Sequence, residues 1–228
     1  MKVAGKKILK LITFKLLLTT ALFIASVFVF AFIADEAVLE NEPAFDNAVF
    51  NFFSSISSPA FIAMMKVLTF FGSKQFILPA YIILVGYFFL KKKFRYGIDI
   101  AIVALTSFVL SYTLKNIFHR TRPSLPGTGG ITTYSFPSGH TLSAFIFCSI
   151  LVFMVFHNNW KPFYKYIVSI LLFLFALMVG ISRIALRAHY PTDVIASLLL
   201  GTAWVILSLW LMQMLNRKYA VRKDLKQA

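Results

Sequence analysis

The apolar runs constrain this chain most. Stretches over Leu9–Ala34, Tyr96–Ile117, Gly139–Phe156, Tyr166–Ile181 and Pro191–Leu215 hold almost no charge, and a sixth, Pro59–Leu90, is interrupted once by Gly72-Ser73-Lys74-Gln75. About 20 apolar residues are what an α-helix needs to cross the hydrocarbon of a bilayer. The composition agrees, since 59% of the 228 residues are hydrophobic and only 14% are charged. That leaves too little polar surface to clothe a soluble domain. The reading is an all-α membrane protein of six transmembrane helices, with residues 1–228 forming one domain.

The net charge is +15, which in a soluble protein would raise the question of nucleic acid. The placement answers it. Fifteen of the 23 Lys and Arg fall in Lys2–Lys10, Lys91–Arg95, Lys161–Lys165 and Arg217–Lys226, between or beyond apolar runs. Cytoplasmic loops of multi-span proteins carry this bias, and no basic face with readout chemistry accompanies it. The chain is therefore expected in the cell membrane, with both termini cytoplasmic and no nucleic-acid partner. The first run follows basic residues as a signal peptide would, but it exceeds the roughly 7–15 residues of a signal core, so a retained first helix is expected. At 26 residues it would be about 39 Å long and should tilt or protrude.

The one acidic stretch, Asp35–Asn47, has no Lys or Arg and belongs outside. After it, Phe45, Val49, Phe52, Phe53 and Ile56 recur at helical spacing, which predicts an amphipathic helix in the outer interface, between the first and second spans. Pro59–Leu90 reads as a broken helix, an outer half followed by the second crossing. Lys66 in the first half is easier to hold near an interface than at the bilayer centre. The single cysteine, Cys148, excludes an intrachain disulfide and reads as a buried apolar side chain.

Three polar islands stand at the ends of these runs: Lys115-x6-Arg122-Pro123, Pro137-Ser138-Gly139-His140, and Ser182-Arg183-x5-His189-x3-Asp193. The topology puts all three on the outer side, where Lys115, Arg120, Arg122, Arg183 and Arg187 break the positive-inside trend. A bound anion would account for cations there. Pro137 to His140 marks a helix start, whose unpaired N–H groups attract anions. Ser138 suits an N-cap, and Gly139 admits a ligand close to the backbone. An ordinary capped helix with a surface histidine fits the same four residues. Pro191 suits the first position of the last helix, with Asp193 in its first turn. That carboxylate either serves the helix dipole alone or holds a ring N–H of His189, leaving the other nitrogen free as a nucleophile. Lys115, Arg122 and Arg183 could snorkel to headgroups or, converging, grip phosphate.

Taken together, the three spacings resemble the signature of the type 2 phosphatidic acid phosphatase family, which includes vanadium haloperoxidases and bacterial acid phosphatases. Every fixed position is matched, in order, and the six-helix pattern extends the likeness over nearly the whole chain. The resemblance implies that His189 attacks phosphorus and forms a phosphohistidine, that Asp193 orients it, and that His140 protonates the leaving oxygen. Lys115, Arg122, Ser138, the Gly139 amide and Arg183 would hold the phosphoryl oxygens, with no metal and no other cofactor. The expected activity is hydrolysis of a lipid phosphate at the outer face of the bilayer. Phosphatidylglycerophosphate, giving phosphatidylglycerol, is the first expectation; undecaprenyl pyrophosphate, phosphatidic acid and diacylglycerol pyrophosphate are the alternatives. The signature touches only phosphate and so does not separate them. A transporter would place polar residues near the bilayer midplane rather than at helix ends. The oligomeric state is not legible.

Overall fold

In the computed structural model, the described backbone covers residues 2–40, 43–123 and 133–225, and the described side chains lie within 14–214. Every regular element in it is helical: α1 (Lys2–Ala34), which runs on as one π-helical turn (Asp35–Leu39), α2 (Ala44–Ile56), α3 (Pro59–Phe70), α4 (Lys74–Leu90), α5 (Phe94–Phe118), α6 (Gly139–Phe156), α7 (Pro162–Ala185) and α8 (Pro191–Leu225). Six segments are long and apolar enough to cross a membrane, namely Phe14–Val38, Pro59–Leu90, Phe94–Phe118, Gly139–Phe156, Pro162–Ala185 and Pro191–Met214. The expected spans are therefore present within a few residues. The first runs through the acidic Asp35–Leu39 turn instead of stopping at Ala34. Most of the 124–135 loop lies outside the described residues.

Local signals set the helix starts. Ser58 accepts a hydrogen bond from the Phe61 amide at 3.2 Å, and Pro59 occupies the first turn of α3. Pro162 does the same for α7. There the missing N–H of proline costs nothing, because first-turn amides have no helical partner. The α5 helix stops at His119, whose φ of 49° is left-handed and whose amide closes on Lys115 O at 3.2 Å.

An antiparallel α6–α7 pair forms the centre, with α8 and α5 flanking α6, α1 against α8, and α3 against α7. Ile77, Tyr81 and Phe88 of α4 pack with Ile100 and Ala104 of α5. Val103, Leu142 and Ile146 join α5 to α6, with Leu200 and Trp204 of α8 closing that cluster. Around this core the surface is apolar: Phe28, Ile82 and Leu105 are all about two-thirds exposed or more. In water such a surface would drive aggregation, whereas against lipid tails it costs nothing.

One feature differs from the sequence reading in detail, and the expected break within Pro59–Leu90 gains a physical cause. The apolar stripe of α2 is divided. Phe50 is buried with Ile184 and Val194, and Val49 and Phe53 pack beside it, while Phe45, Phe52 and Ile56 point outward. The polar Asp46 is buried too, at 1% exposure. The break between α3 and α4 has a steric origin. A Cβ on Gly72 would stand 2.7 Å from Val179 Cγ1 and 2.9 Å from the carbonyl oxygen of His140. The turn packs backbone against backbone onto the start of α6, and only glycine leaves room for that.

Candidate active site

The helix ends that carry the three islands meet at one end of the bundle. The five residues between Arg183 and His189 form a tight reversal from α7 to α8. The amides of Ala188 and His189 both bond to Arg183 O, at 2.9 and 3.3 Å, and Arg187 takes a left-handed φ of 48°. This reversal sets His189 beside Asp193 and returns both to Arg183.

His189 is 1% exposed and Asp193 is fully buried. The imidazole Nε2 lies 3.2 Å from Arg122 Nη1. A guanidinium only donates, so Nε2 accepts and the ring proton sits on Nδ1. Nδ1 then donates toward Asp193 Oδ2 at 3.3 Å, with Ser135 Oγ 3.4 Å away. Ser135 in turn donates its hydroxyl proton to Asp193 Oδ2, which also accepts from the Tyr190 amide at 2.9 Å. The lone pair of Nε2 is thus left facing a cation. Burial holds the His189 pKa far below its ordinary value, at about 3; the hydrogen bond and charge of Asp193 oppose this, and Arg122 and Arg183 add to it. The ring is neutral at physiological pH, as a nitrogen nucleophile must be.

Arg122 is fastened by its whole fork. Nε donates to Thr133 O at 2.9 Å, Nη2 to Thr133 Oγ1 at 3.1 Å, and Nη1 to Ala188 O at 2.6 Å. Burial lowers its pKa, with Asp193 opposing, but arginine keeps its charge in proteins. Arg183 donates from Nη1 to Thr69 Oγ1 at 2.7 Å, and its buried Nε has no protein partner. A buried N–H without an acceptor is costly, and an anion would satisfy it. Lys115 reaches across to Tyr134 O at 2.6 Å and Ser135 O at 3.2 Å, tying the end of α5 to the segment before α6. Its charge also acts on Arg122, Arg183 and Asp193. His140, in the first turn of α6, lies within electrostatic range of Arg183, His189, Arg122 and Lys115. The predicted residues therefore converge.

One expectation is corrected. Ser138 occupies the N-cap position of α6 but caps nothing with its side chain. Its hydroxyl pairs with Thr141 Oγ1 at 2.9 Å, and its amide leans on Asp193 O at 3.4 Å. The first-turn amides of α6 are thus left without a side-chain cap. A Cβ on Gly139 would meet Ser111 Oγ and Lys115 Cε at 3.6 and 3.8 Å, ordinary contacts that place Gly139 beside the Lys115 stem.

Sequence reasoning missed Ser135, Thr69, Gly72 and the pair Asp46 and Arg120. In the sequence Arg120 stands out only as a cation on the outer side. It donates to Asp193 Oδ1 at 2.7 Å and to Asp46 Oδ2 at 2.9 Å. Among the described residues, no three His, Cys, Asp or Glu gather as a metal site; the positive charge here comes from side chains. A cavity of about 470 Å³ around Arg95, Asp99, His157 and Met212 lies at the other end of the bundle and shares none of these residues.

Spanning helices that bring several cations to a histidine–carboxylate pair point to a class, the helical membrane phosphatases. The PAP2 superfamily model matches residues 96–217, and the chain belongs to that superfamily. It is 32% identical over 179 residues to phosphatidylglycerophosphatase B of Bacillus subtilis (strain 168), covering 77% of this chain and 88% of the relative. A crystal structure of a transmembrane PAP2 type phosphatidylglycerolphosphate phosphatase from Bacillus subtilis superposes with a TM-score of 0.74 at 28% identity, covering 86% of this chain and 96% of the other. A protein of Escherichia coli (strain K12) provisionally named undecaprenyl-diphosphatase YbjG is 31% identical over 109 residues, 46% of this chain and 50% of the relative. The chain is a multi-span membrane enzyme of the lipid-phosphatase class.

Proposed function

We propose that this chain, acting as one domain over 1–228, hydrolyses phosphatidylglycerophosphate to phosphatidylglycerol at the outer face of the cell membrane. The observation that carries the chemistry is the state of His189: Nδ1 turned to Asp193, and Nε2 without a proton, its lone pair toward Arg122. Nε2 attacks phosphorus in line, and the bond from phosphorus to the lipid oxygen breaks as the N–P bond forms. His140 gives its proton to the departing oxygen. It then takes one from a water that attacks the phosphohistidine, releasing phosphate and restoring His189. Lys115, Arg122 and Arg183, with Ser138 and the Gly139 amide, hold the phosphoryl oxygens. Charge stabilisation and positioning are most of what phosphoryl transfer requires.

The outward orientation rests on the basic segments 2–10, 91–95, 161–165 and 217–226, which belong in the cytoplasm. The exposed Phe45, Phe52 and Ile56 of α2 suit a helix lying in the outer interface. The phosphatidylglycerophosphatase relatives favour the substrate. The Escherichia coli relative supports a second reading, undecaprenyl pyrophosphate hydrolysis, at the same site.

The test is phosphate release by purified protein in detergent with EDTA, the two lipids compared side by side. Preference for phosphatidylglycerophosphate, with no turnover in His189→Ala, is expected. An acid-labile, base-stable phosphoryl label should be trapped on the wild type during turnover. Near wild-type turnover in His189→Ala would refute the nucleophile, and a requirement for added Mg2+ would refute the metal-free mechanism.

A further inference from the structure

The site contains two buried charges that the mechanism above does not use, Asp46 and Arg120. Asp46 belongs to α2, and at 1% exposure it faces the protein and not the lipid surface. The Arg120 side chain is 8% exposed. Its Nη2 donates to Asp46 Oδ2 at 2.9 Å, and its Nη1 donates to Asp193 Oδ1 at 2.7 Å and Thr192 Oγ1 at 2.8 Å. The guanidinium carbon sits 3.9 Å from the centre of the Tyr190 ring. Asp46 is held in turn by Thr192, whose amide donates to Oδ1 at 2.9 Å and whose hydroxyl pairs with Oδ2 at 2.8 Å.

We propose that Asp46 and Arg120 are positioning residues for the catalytic pair, forming a relay Asp46–Arg120–Asp193–His189 that fixes the carboxylate which orients the nucleophile. This rests on the assignment of His189 and Asp193 made above. Arg120 takes one oxygen of Asp193 and leaves the other, Oδ2, for His189 Nδ1. It also supplies the counter-charge that a fully buried carboxylate needs. A planar guanidinium can bridge two carboxylates at fixed geometry, which an ammonium cannot. Asp46 holds the far side of the fork, and Tyr190 covers its face. The described side-chain hydrogen bonds of Arg120 go to Asp46, Thr192 and Asp193. Arg122, two residues on, differs in touching His189 Nε2. The two arginines thus act on opposite sides of the imidazole. Their side chains separate the role of setting the tautomer from that of receiving the phosphate. The relay also makes α2 part of the catalytic frame, although it lies outside the residues matched by the family model.

The experiment is a double-mutant cycle on phosphatidylglycerophosphate in detergent, measuring kcat and KM separately. Arg120→Gln, Asp46→Asn and the doubly neutral Asp46→Asn/Arg120→Gln are made in the wild-type and Asp193→Asn backgrounds, with His189→Ala as the baseline. Loss of a hydrogen bond to a charged group predicts a fall in kcat of about ten- to a hundredfold for Arg120→Gln, with KM within about twofold. In the Asp193→Asn background the same change should cost less than about twofold, because the group it acts through is already gone. The doubly neutral variant strands neither Asp46 nor Arg120, and in the Asp193→Asn background none of the three buried charges is left, so it remains measurable there if a single variant fails to fold; with Asp193 present it should stay slow. Equal losses in both backgrounds, a change confined to KM, or wild-type kcat in the doubly neutral variant would each overturn the proposal. An inactive His189→Ala beside such a result would confine the failure to the relay. An active His189→Ala would instead strike the nucleophile assignment on which the relay rests.

Discussion

Gly72→Ala puts the bracing of His140 to a direct test. The new Cβ would lie 2.7 Å from Val179 Cγ1, 2.9 Å from His140 O and 3.0 Å from His140 Cβ. Val179 is fully buried, so its side chain can give way only against its packed neighbours. The oxygen belongs to the first turn of α6 and moves only with that helix. Relaxing 2.9 Å to an ordinary 3.4 Å contact displaces one backbone from the other by about half an ångström. Overpacking of this kind costs about 1–3 kcal/mol. Catalytic constellations tolerate about 0.5 Å of error, and a 1 Å misplacement can cost about 10²-fold, so kcat should drop about tenfold and Tm in detergent should fall. The α3 side of the turn also carries Thr69, which holds Arg183, so Arg183 feels the push as well as His140. Gly86→Ala is the control, since a Cβ there meets nothing within 4 Å and alanine is favoured in a helix by about 1 kcal/mol. It should keep wild-type kcat and an equal or higher Tm. Wild-type kcat and Tm in Gly72→Ala would refute the reasoning.

Arg122→Lys keeps the charge but loses the fork that spans Thr133, Ala188 and His189; kcat/KM measured by phosphate release should fall about ten- to a hundredfold. Ser135→Ala removes the hydroxyl shared by Asp193 and His189, and kcat should fall about fivefold, the cost of one ordinary hydrogen bond. Stability should also depend on pH through His189. Its folded pKa of about 3 lies below the ordinary 6.5, so the unfolded chain binds the proton first as pH falls. That contribution is whole above about pH 6.5 and is lost progressively toward pH 3. Tm recorded from pH 7.5 to 4 should decline, and His189→Asn, which cannot titrate there, should flatten the decline; an equally steep slope would count against a buried neutral imidazole.

The parts of this molecule that were legible in sequence are those whose cause is local. A run of apolar residues spans a bilayer whatever surrounds it, so the spans were readable from composition. The five residues between Arg183 and His189 are one helix end and one turn, so that spacing alone sets two side chains together. His189 and Asp193 are four apart across a helix start, and their contact is equally local. Gly72 shows where this stops. The interruption after Phe71 was visible, but the reason for glycine is a carbonyl on His140, 68 positions away, which no window along the chain contains.

Asp46 failed for a different reason. In a soluble helix a polar residue opposite an apolar stripe faces water, and Asp46 falls in the acidic stretch expected outside the membrane. A protein surrounded by lipid has a second polar place to go, its own interior at the ends of the bundle. There Phe45 and Phe52 look outward and Asp46 looks in, so amphipathicity locates the two faces without saying which is the inner one. Arg120 is obscured in the same way by the signature itself. It stands among the six unspecified positions between Lys115 and Arg122, where spacing carries no information, and its two acidic partners lie 74 residues upstream and 73 downstream. Residues that touch phosphate are pinned by the geometry of a small common ligand and can recur as a motif. Residues that hold those groups in place answer only to their neighbours in the fold, so Arg120 became legible only where α2, α5 and α8 meet.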